Sequence, residues 1–408
     1  RAAFRLLWRA LPVGIYSPVR LFSAHGISNH PTTMNWPIVK GKATRQAHVA
    51  LPDGSFEEEH GREGFFGRVS HLYHVHPPTG WSRIEGNLRP HAFDFSKVTP
   101  SDQTDPRGDS EPVLFNDDVI LSISRRSEAM PYYLRNADGD ELYFIHRGTG
   151  LIETDFGTLT FEPGDYVIIP RATSYRIVPE TKDNFFVVLE SHSEILPASP
   201  EQKGMVGMHA IFDMSAITTP DFVPYDKASH VEGKEYEVRV RRLGEYTSIF
   251  YPFHPINLIG WKGDLTAFKI NMRDIRPIMS HRVHLPPSAH TTFLAHNFVI
   301  CSFLPRPLEE DPDTLRVPFY HRNTDYDEVI FYHDGDFFSR DNIKPAMATL
   351  HPQGMHHGPH PKAMKANPNI TRTNEYAMML DTRNPLKIAP AAVSAEWKEY
   401  WASWQEKK

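Results

Sequence analysis

The sequence predicts a mainly β protein with two similar small barrels of jelly-roll type, a β-rich N-terminal region and one short C-terminal helix. Apolar or β-branched runs of about four to eight residues alternate with Pro-Gly and Gly turns from residue 113 onward, as in "GLIETDFGTLTFEPGDYVIIP" at 150–170. The 35 prolines among 408 residues favour short strands over long helices. One string of residues also occurs twice, which indicates a duplicated unit.

The N-terminal stretch differs in composition from the rest of the chain. Its first 52 residues contain no Asp or Glu, and "RAAFRLLWRALPVGIYSPVRLFS" is rich in Arg and apolar residues. Organelle transit peptides have this composition. We therefore expect residues 1–33 to be a leader or an extension without a catalytic group. A functional transit peptide would place the protein in the mitochondrial matrix.

The remaining chain divides into two predicted parts. Residues 34–265 form an N-terminal domain that ends in a Pro-rich, mixed segment, and residues 266–408 form a C-terminal domain in which β patterns return with "NFVICSF" and "DEVIFYHDG". The tail carries aromatic residues at helical spacing, namely Trp397, Tyr400, Trp401 and Trp404. We expect this stripe to dock on the protein body, with a partner helix as the alternative.

The repeat is clearest in "YLRNADGDELYFIHRGT" at 133–149 and "YHRNTDYDEVIFYHDGD" at 320–336, which lie 187 residues apart. Shared Asn, Asp and Gly residues shape turns, so their recurrence has a structural explanation. Glu141 recurs as Glu328, so a glutamate proves nothing alone. Two positions differ between the copies, with Leu134 and Tyr175 in the first and His321 and His357 in the second. Because the framework tolerates their absence, these histidines indicate a function in one copy.

Two imidazoles and one carboxylate form the facial triad of non-haem Fe(II) oxygenases, which leaves open positions for substrate and O₂. His321, Glu328 and His357 therefore predict a metal site in the second barrel, with zinc or manganese as alternatives to Fe(II). His321 and Glu328 are seven residues apart, so one straight strand would place them on opposite faces. The turn-rich "RNTDYD" between them predicts two neighbouring strands. His356 would point away from the site, and the first barrel is expected to hold no metal.

The order H-R-N-x4-E-x6-G followed by P-x-G-x-x-H resembles the two motifs of the cupin superfamily, which implies two cupin (double-stranded β-helix) barrels. From about Met34 onward the chain is similar to the homogentisate 1,2-dioxygenase family, in segments such as "EEEHGREGFFGRVSHLYH", "HLPPS", "HHGPH" and "DTRNPL". The resemblance implies an Fe(II)-dependent extradiol-type oxidoreductase of tyrosine and phenylalanine catabolism. It would incorporate both atoms of O₂ into homogentisate and form maleylacetoacetate. The resemblance also implies a cytoplasmic protein that assembles as trimers paired into hexamers.

The resemblance assigns roles to individual residues. The family's iron ligands fall on His321, Glu328 and His357, and its proposed catalytic base falls on His284, with His290 as an alternative base. The implied substrate contacts are His351, Phe337 and His357. Two departures matter. The family's well-known animal and pseudomonad members carry a substrate-contacting tyrosine where this chain has Phe337, and they have one residue fewer between the first ligand and the glutamate.

Composition excludes several other functions. The net charge of −6 does not support a nucleic-acid partner, and the lone Cys301 excludes an internal disulfide. No apolar run approaches the roughly 20 residues that span a bilayer. We expect a small aromatic substrate and O₂ as partners. The alternatives are another cupin ring-cleaving dioxygenase with a gentisate-like substrate, a metal-dependent isomerase, and a non-catalytic bicupin binding protein.

Overall fold

The structure is a computed structural model that describes residues 38–198, 212, 214–224, 231, 233–316, 319–340, 342–360 and 370–405. The predicted leader, residues 1–33, lies outside the described residues. Short β-strands dominate the described part, so the predicted fold class is confirmed. None of the helices in these residues is both long and apolar enough to cross a bilayer.

The strands are numbered in chain order. Those up to residue 197 are β1 (Phe56–Gly61), β2 (Val69–His74), β3 (His91–Asp94), β4 (Glu111–Phe115), β5 (Val119–Ser124), β6 (Tyr133–Asn136), β7 (Asp140–Arg147), β8 (Gly150–Thr154), β9 (Gly157–Phe161), β10 (Asp165–Ile169), β11 (Ser174–Pro179), β12 (Phe185–Ser191) and β13 (Leu196–Pro197). The later elements are β14 (Tyr236–Arg242), β15 (Glu245–Tyr251), β16 (Phe268–Asn271), β17 (Thr291–Ala295), β18 (Phe298–Phe303), β19 (Tyr320–Asn323), β20 (Asp327–Asp336), β21 (Met347–His351), β22 (Asn374–Thr382), β23 (Lys387–Ile388) and helix α1 (Pro390–Ala395).

These strands form two barrels. Barrel 1 has a seven-stranded sheet, in the order β16-β10-β7-β12-β5-β4-β23, and a six-stranded sheet, in the order β15-β14-β6-β11-β8-β9. Barrel 2 has a seven-stranded sheet, in the order β13-β17-β18-β22-β20-β21-β3, and a three-stranded sheet, in the order β19-β1-β2. Apolar side chains fill both interiors, for example Ile145 in barrel 1 and Met379 in barrel 2.

The two barrels pack against each other through equivalent positions. Phe144 of β7 contacts Phe331 of β20, with ring centroids 6.1 Å apart, and the Nδ1 atoms of His146 and His333 lie 2.9 Å apart. Both pairs are separated by the same 187 residues as the sequence repeat, so an approximate twofold axis relates the barrels. β7 is buried along most of its length because one face lines barrel 1 and the other packs on barrel 2.

The barrels exchange hairpins. The β14–β15 hairpin completes barrel 1, where β14 runs parallel to β6 and pairs Val238 with Tyr133. The β1–β2 hairpin precedes barrel 1 in the chain, yet β1 runs parallel to β19 of barrel 2 and pairs Glu58 with Tyr320. Tyr133 and Tyr320 are equivalent in the repeat, so the two hairpins are equivalent too. The strand after each hairpin joins the same barrel as its hairpin: β3 pairs with β21 of barrel 2, and β16 pairs with β10 of barrel 1.

Strands from each predicted part of the chain therefore contribute to both barrels, and the boundary at residue 265 stays a prediction. The tail docks on barrel 2, as expected, because Tyr400 and Trp404 are buried against Ala92. It does not form one long helix, however. Glu396 forms a β-bridge with Phe93, which ends α1, and the aromatic stripe continues in a separate 3-10 helix at Tyr400–Trp404.

Candidate metal centre

His321, Glu328 and His357 come together inside barrel 2. One nitrogen or oxygen atom from each side chain lies within 4.8 Å of the others, and all three residues are buried. The Nε2 atoms of His321 and His357 lie 3.5 and 3.6 Å from Oε2 of Glu328. β19 ends at Asn323 and β20 begins at Asp327, so the predicted turn separates the first histidine from the glutamate. His357 lies beside His321 in an isolated antiparallel bridge, with backbone N–O distances of 2.8 and 3.0 Å.

Backbone carbonyl groups fix the orientation of both imidazoles. Nδ1 of His321 lies 3.1 Å from the carbonyl oxygen of Phe319, and Nδ1 of His357 lies 3.0 Å from that of Met355. A carbonyl oxygen only accepts, so Nδ1–H donates in each ring and Nε2 presents a lone pair. Both Nε2 atoms are buried without a hydrogen-bond partner among the described residues. A cation between them would satisfy both lone pairs, so this donor set fits a bound metal ion.

The charge of Glu328 also fits a cation. Burial opposes its ionisation, but the surrounding imidazoles of His357, His321 and His351 outweigh burial and hold the pKa of Glu328 well below its usual range. Burial and the neighbouring His321 lower the pKa of His357, which favours its neutral form. The site therefore has the protonation state that a metal requires, with a carboxylate and a neutral imidazole.

Barrel 1 satisfies the equivalent glutamate without an ion. The hydroxyl group of Tyr175, which stands where barrel 2 has His357, donates a hydrogen bond of 2.8 Å to Oε2 of Glu141. Burial and the charge of Glu190 raise the pKa of Glu141 to about 7. In barrel 1 a hydroxyl group therefore occupies the place on the glutamate that an imidazole faces in barrel 2.

A second layer of side chains orients the carboxylate of barrel 2. Nδ1 of His351 lies 2.8 Å from Oε1 of Glu328, and its Nε2 lies 3.4 Å from the hydroxyl group of Tyr400. Burial lowers the pKa of His351 to about 3, so the ring is neutral and Nδ1–H donates to the carboxylate. The docked tail thereby reaches the metal centre through one histidine.

His284 lies in a neighbouring layer. Its Nδ1 is 2.9 Å from Oε1 of Glu309, and both side chains are buried. Although burial opposes its ionisation, the hydrogen bond from His284 lowers the pKa of Glu309. The ring of Phe319 lies between His284 and His321, at centroid distances of 5.9 and 5.7 Å. Sequence reasoning missed Glu309, because nothing in "RPLEEDPD" distinguishes it from its exposed neighbour Glu310.

A small cavity of about 80 Å³ borders His321. The exchanged hairpin supplies much of its lining through the β1–β2 loop, and Phe65 of this loop contacts the ring of His321 at a centroid distance of 5.2 Å. Asp325 holds the loop in place, because its Oδ2 accepts hydrogen bonds of 2.8 Å from Nε of Arg62 and from the backbone N–H of Glu63. Sequence reasoning also missed this loop, since it lies more than 250 residues from the ligands in the chain.

Models of one protein family match both parts of the chain. Residues 119–272 match the N-terminal domain of homogentisate 1,2-dioxygenase, and residues 276–408 match its C-terminal domain. A protein of Saccharolobus solfataricus with a provisional dioxygenase name is 31% identical over 383 residues, which cover 90% of this chain and 98% of that protein. The chain belongs to the homogentisate 1,2-dioxygenase family. It is therefore a dioxygenase, an oxidoreductase that acts with O₂.

Relatives named homogentisate 1,2-dioxygenase are more distant. The enzyme of Rhodopseudomonas palustris strain BisB5 is 24% identical over 294 residues, which cover 67% of this chain and 62% of that enzyme. Among solved structures, a cupin barrel protein of Leptotrichia buccalis is 13% identical with a TM-score of 0.33, covering 72% of this chain and 96% of that chain. A mutant of Bacillus subtilis oxalate decarboxylase is 10% identical with a TM-score of 0.33, covering 77% and 81% of the two chains.

The other residues that the homogentisate 1,2-dioxygenase family suggested lie apart from the cavity beside His321. His351 is completely buried behind Glu328, and Phe337 packs on Tyr332 inside barrel 2 at a centroid distance of 4.8 Å. His290 contacts Phe303 at 5.6 Å. Their contacts with a substrate stay predictions. His356 points away from the triad, as expected, with Nε2 3.2 Å from Oε1 of Glu58.

Proposed function

We propose that this chain is an Fe(II)-dependent ring-cleaving dioxygenase that converts homogentisate and O₂ into maleylacetoacetate. The observation that carries the proposal is the triad of barrel 2, with two unpartnered, buried imidazole nitrogens around one ionised carboxylate. The family match supplies the reaction class, and the named relatives supply the substrate. The site would hold iron through Nε2 of His321, Nε2 of His357 and the carboxylate of Glu328.

Iron bound there would supply open positions for the ring hydroxyl and O₂, together with the electrons that activate O₂. The protein's own task is to remove a proton from that hydroxyl group. We assign this role to His284, because Glu309 accepts the hydrogen bond of Nδ1–H and leaves Nε2 as the basic atom. Nε2 is then the nitrogen of His284 that can accept a proton from a substrate hydroxyl group.

Two further features serve this chemistry. His351 keeps one oxygen of Glu328 occupied, so that only Oε2 faces the imidazoles of the triad. The β1–β2 loop, with Phe65 against His321, shields one side of the centre from bulk water. Exclusion of water strengthens electrostatic interactions within the site and limits side reactions of activated oxygen.

Another ring-cleaving reaction is a second candidate, with a gentisate-like hydroquinone as substrate. Phe337 favours it, because a phenylalanine lacks the hydroxyl group that the family's tyrosine offers, and buried hydrogen-bonding partners discriminate strongly between substrates. Phe337 is buried beside Tyr332, so the missing hydroxyl group is missing from the interior of barrel 2 and not from its surface.

Anaerobic loading of the full chain with Fe(II), followed by O₂ addition with homogentisate or gentisate, tests both candidates. We expect one O₂ consumed for each homogentisate ring, with the ultraviolet band of the ring-opened product. Turnover of gentisate alone would replace the substrate and keep the reaction class. Bound iron without O₂ uptake on either ring would contradict the enzyme proposal and favour a binding protein.

A further inference from the structure

A second group of histidines and carboxylates lies on the exchanged hairpin. We name it the arm cluster, and it consists of His48, Glu57, Glu59 and His71. Glu57 and Glu59 are two residues apart on β1 and therefore lie on the same face of the strand. His71 of β2 pairs directly with Glu59. His48 reaches the same face from the segment before β1. His48, Glu57 and Glu59 are buried, and the side chain of His71 is 24% exposed.

The distances within the arm cluster resemble those of a metal site. Atoms of His48, Glu57 and His71 lie within 4.8 Å of one another. Nδ1 of His48 is 2.8 Å and Nδ1 of His71 is 3.4 Å from the carboxylate of Glu57. On the other side of both rings, Oε1 of Glu59 lies 3.3 Å from Nε2 of His48 and 4.0 Å from Nε2 of His71. Ligand histidines typically donate their second N–H to a carboxylate, and the position of Glu59 allows this for His48.

Two observations favour a cation in the arm cluster. The carboxylates of Glu57 and Glu59 lie together in a largely buried place, where a divalent cation would offset negative charge that is costly to bury. In addition, Nδ1 of His71 is shielded from solvent and has no hydrogen-bond partner among the described residues. This nitrogen faces the carboxylate of Glu57 at 3.4 Å, where one shared ion could join the two groups.

The equivalent hairpin of barrel 1 lacks these residue types. The pairing of β1 with β19 and of β14 with β6 aligns Glu57 with Glu237, Glu59 with Arg239, and His71 with Ser248. Glu237 forms an ordinary ion pair with Arg107 at 2.7 Å and accepts a 2.6 Å hydrogen bond from Ser248. The hairpin fold therefore does not require the arm cluster, just as the barrel fold does not require the histidines of the triad.

We propose that the arm cluster binds a second divalent cation of the zinc class, held by Nδ1 of His48, Nδ1 of His71 and the carboxylate of Glu57. Zinc accepts this combination of imidazole and carboxylate ligands. Glu59 would orient the ring of His48, whose Nε2 lies 3.3 Å from its Oε1. The inference does not rest on the proposed ring-cleaving function.

The position of the arm cluster gives such an ion a structural role. His48 lies in the segment before β1, which we call the arm, whereas Glu57 and His71 lie on the β1–β2 hairpin. One ion bound to all three would therefore fasten the arm to the hairpin. The ring of His48 also stacks on Phe319 at a centroid distance of 4.4 Å, and the carbonyl group of Phe319 orients His321. A fastened arm would thus support the first ligand of the metal centre from behind.

A proton is the competing occupant of this place. Burial alone would lower the pKa of His48. Hydrogen bonds to Glu57 and Glu59 outweigh burial and raise this pKa to about 9 in the ion-free cluster. A protonated His48 neutralises only one of the two carboxylates, and it leaves Nδ1 of His71 without a partner. A divalent ion would neutralise the second carboxylate and also bind Nδ1 of His71. A count of bound ions therefore distinguishes an ion from a proton.

The experiment counts zinc in the full chain after chelation, reloading with excess Zn²⁺ and desalting, by mass spectrometry of the metal. We expect two zinc ions per chain in the wild type and one in either His71→Ala or His357→Ala, which lose different sites. His74→Asn is the matched control, because His74 lies on the same strand but bonds to Glu58 on the opposite face. It should retain two ions.

No zinc in His357→Ala, or as many ions in His71→Ala as in the wild type, would overturn the proposal in favour of a proton-bridged cluster. One ion in both the wild type and His357→Ala, lost in His71→Ala, would support the arm cluster and leave the triad without zinc. Circular dichroism shows whether each variant folds. If His71→Ala does not fold, the counts for the wild type and His357→Ala decide alone. Hydrogen exchange adds a local readout, because Zn²⁺ should slow exchange of the His48 backbone N–H, which bonds to Glu57.

Discussion

At the scale of single residues, the metal centre is defined by which ring nitrogen each histidine leaves open. His321 and His357 both use Nδ1 on a backbone carbonyl group and both direct Nε2 toward Glu328. The sequence predicted this set of residues because the repeat offered an internal comparison, in which only one copy has the histidines. It could not predict the tautomers, which depend on carbonyl groups two residues before each ligand.

Replacement of His357 by Ala tests the ligand assignment. We expect Fe(II) to bind at least ~100-fold more weakly, because loss of a side chain that only orients a ligand already costs about 10- to 100-fold. Iron titration under anaerobic conditions measures the change. His356→Ala is the matched control, since this neighbour bonds to Glu58 outside the triad and should leave iron binding unchanged. Equal losses in both variants would contradict the assignment.

Glu309→Gln tests the orientation of His284. An amide holds the Nδ1–H tautomer less firmly than a carboxylate, so we expect kcat to fall by about 10- to 100-fold. Iron content and KM should change little, because Glu309 contacts neither the triad nor the cavity beside His321. Steady-state O₂ uptake gives both constants. The adjacent Glu310→Gln serves as control, since Glu310 is exposed, and a similar fall in that variant would refute a specific role for Glu309.

At the scale of elements, turns and strand pairings place the ligands. The sequence predicted that a glycine shapes a turn in each repeat string, and both Gly148 and Gly335 have positive φ angles, of 106° and 91°. Gly148 follows β7, whereas Gly335 lies within β20, so the turn prediction was wrong for Gly335. The sequence also predicted the turn between His321 and Glu328. It could not predict that β1–β2 covers the centre, because a pairing between strands so far apart in the chain leaves no local pattern in either strand.

Gly335→Ala should destabilise the end of β20. An added Cβ would lie 1.9 Å from the carbonyl oxygen of Asn374, and the φ angle of 91° is strained for any other residue. We expect the free energy of unfolding to fall by roughly 2–4 kcal/mol. Chemical denaturation of the metal-free protein measures it. Gly244→Ala also has a positive φ but meets no atom within 4 Å, so it should cost only about 1 kcal/mol.

At the scale of the whole molecule, the two similar barrels differ in their interiors, because only barrel 2 has the candidate metal ligands His321, Glu328 and His357. The two barrels share an apolar interface and exchange hairpins, so the N-terminal hairpin completes the functional barrel. The sequence predicted two barrels from local periodicity and the repeat. It did not predict the exchange, because the repeat strings cover only the barrel strands and not the hairpins.

Barrel 1 should make stability depend on pH through Glu141. Its folded-state pKa of about 7 exceeds the ordinary glutamate value of 4.5, so its contribution to stability is fully present below pH 4.5 and is lost as the pH rises through 7. Glu141→Gln removes the titrating group and with it this loss of stability. We expect the free energy of unfolding of the variant, relative to that of the wild type, to be higher at pH 8 than at pH 5 by about 1–3 kcal/mol.

Denaturation of both proteins at these two pH values measures the gain. Glu180→Gln is the control, because Glu180 is an exposed carboxylate on the same barrel and should show no such difference. A gain of the same size in the control would mean that general surface charge, rather than the buried Glu141, causes the pH dependence.

Anomalous diffraction at the iron absorption edge, from crystals loaded with Fe(II) under anaerobic conditions, tests the central claim most directly. We predict one iron peak in barrel 2, bounded by Nε2 of His321, Nε2 of His357 and Oε2 of Glu328, and none between Glu141 and Tyr175 of barrel 1. Absence of a peak at the triad, or a peak in barrel 1, would contradict the account.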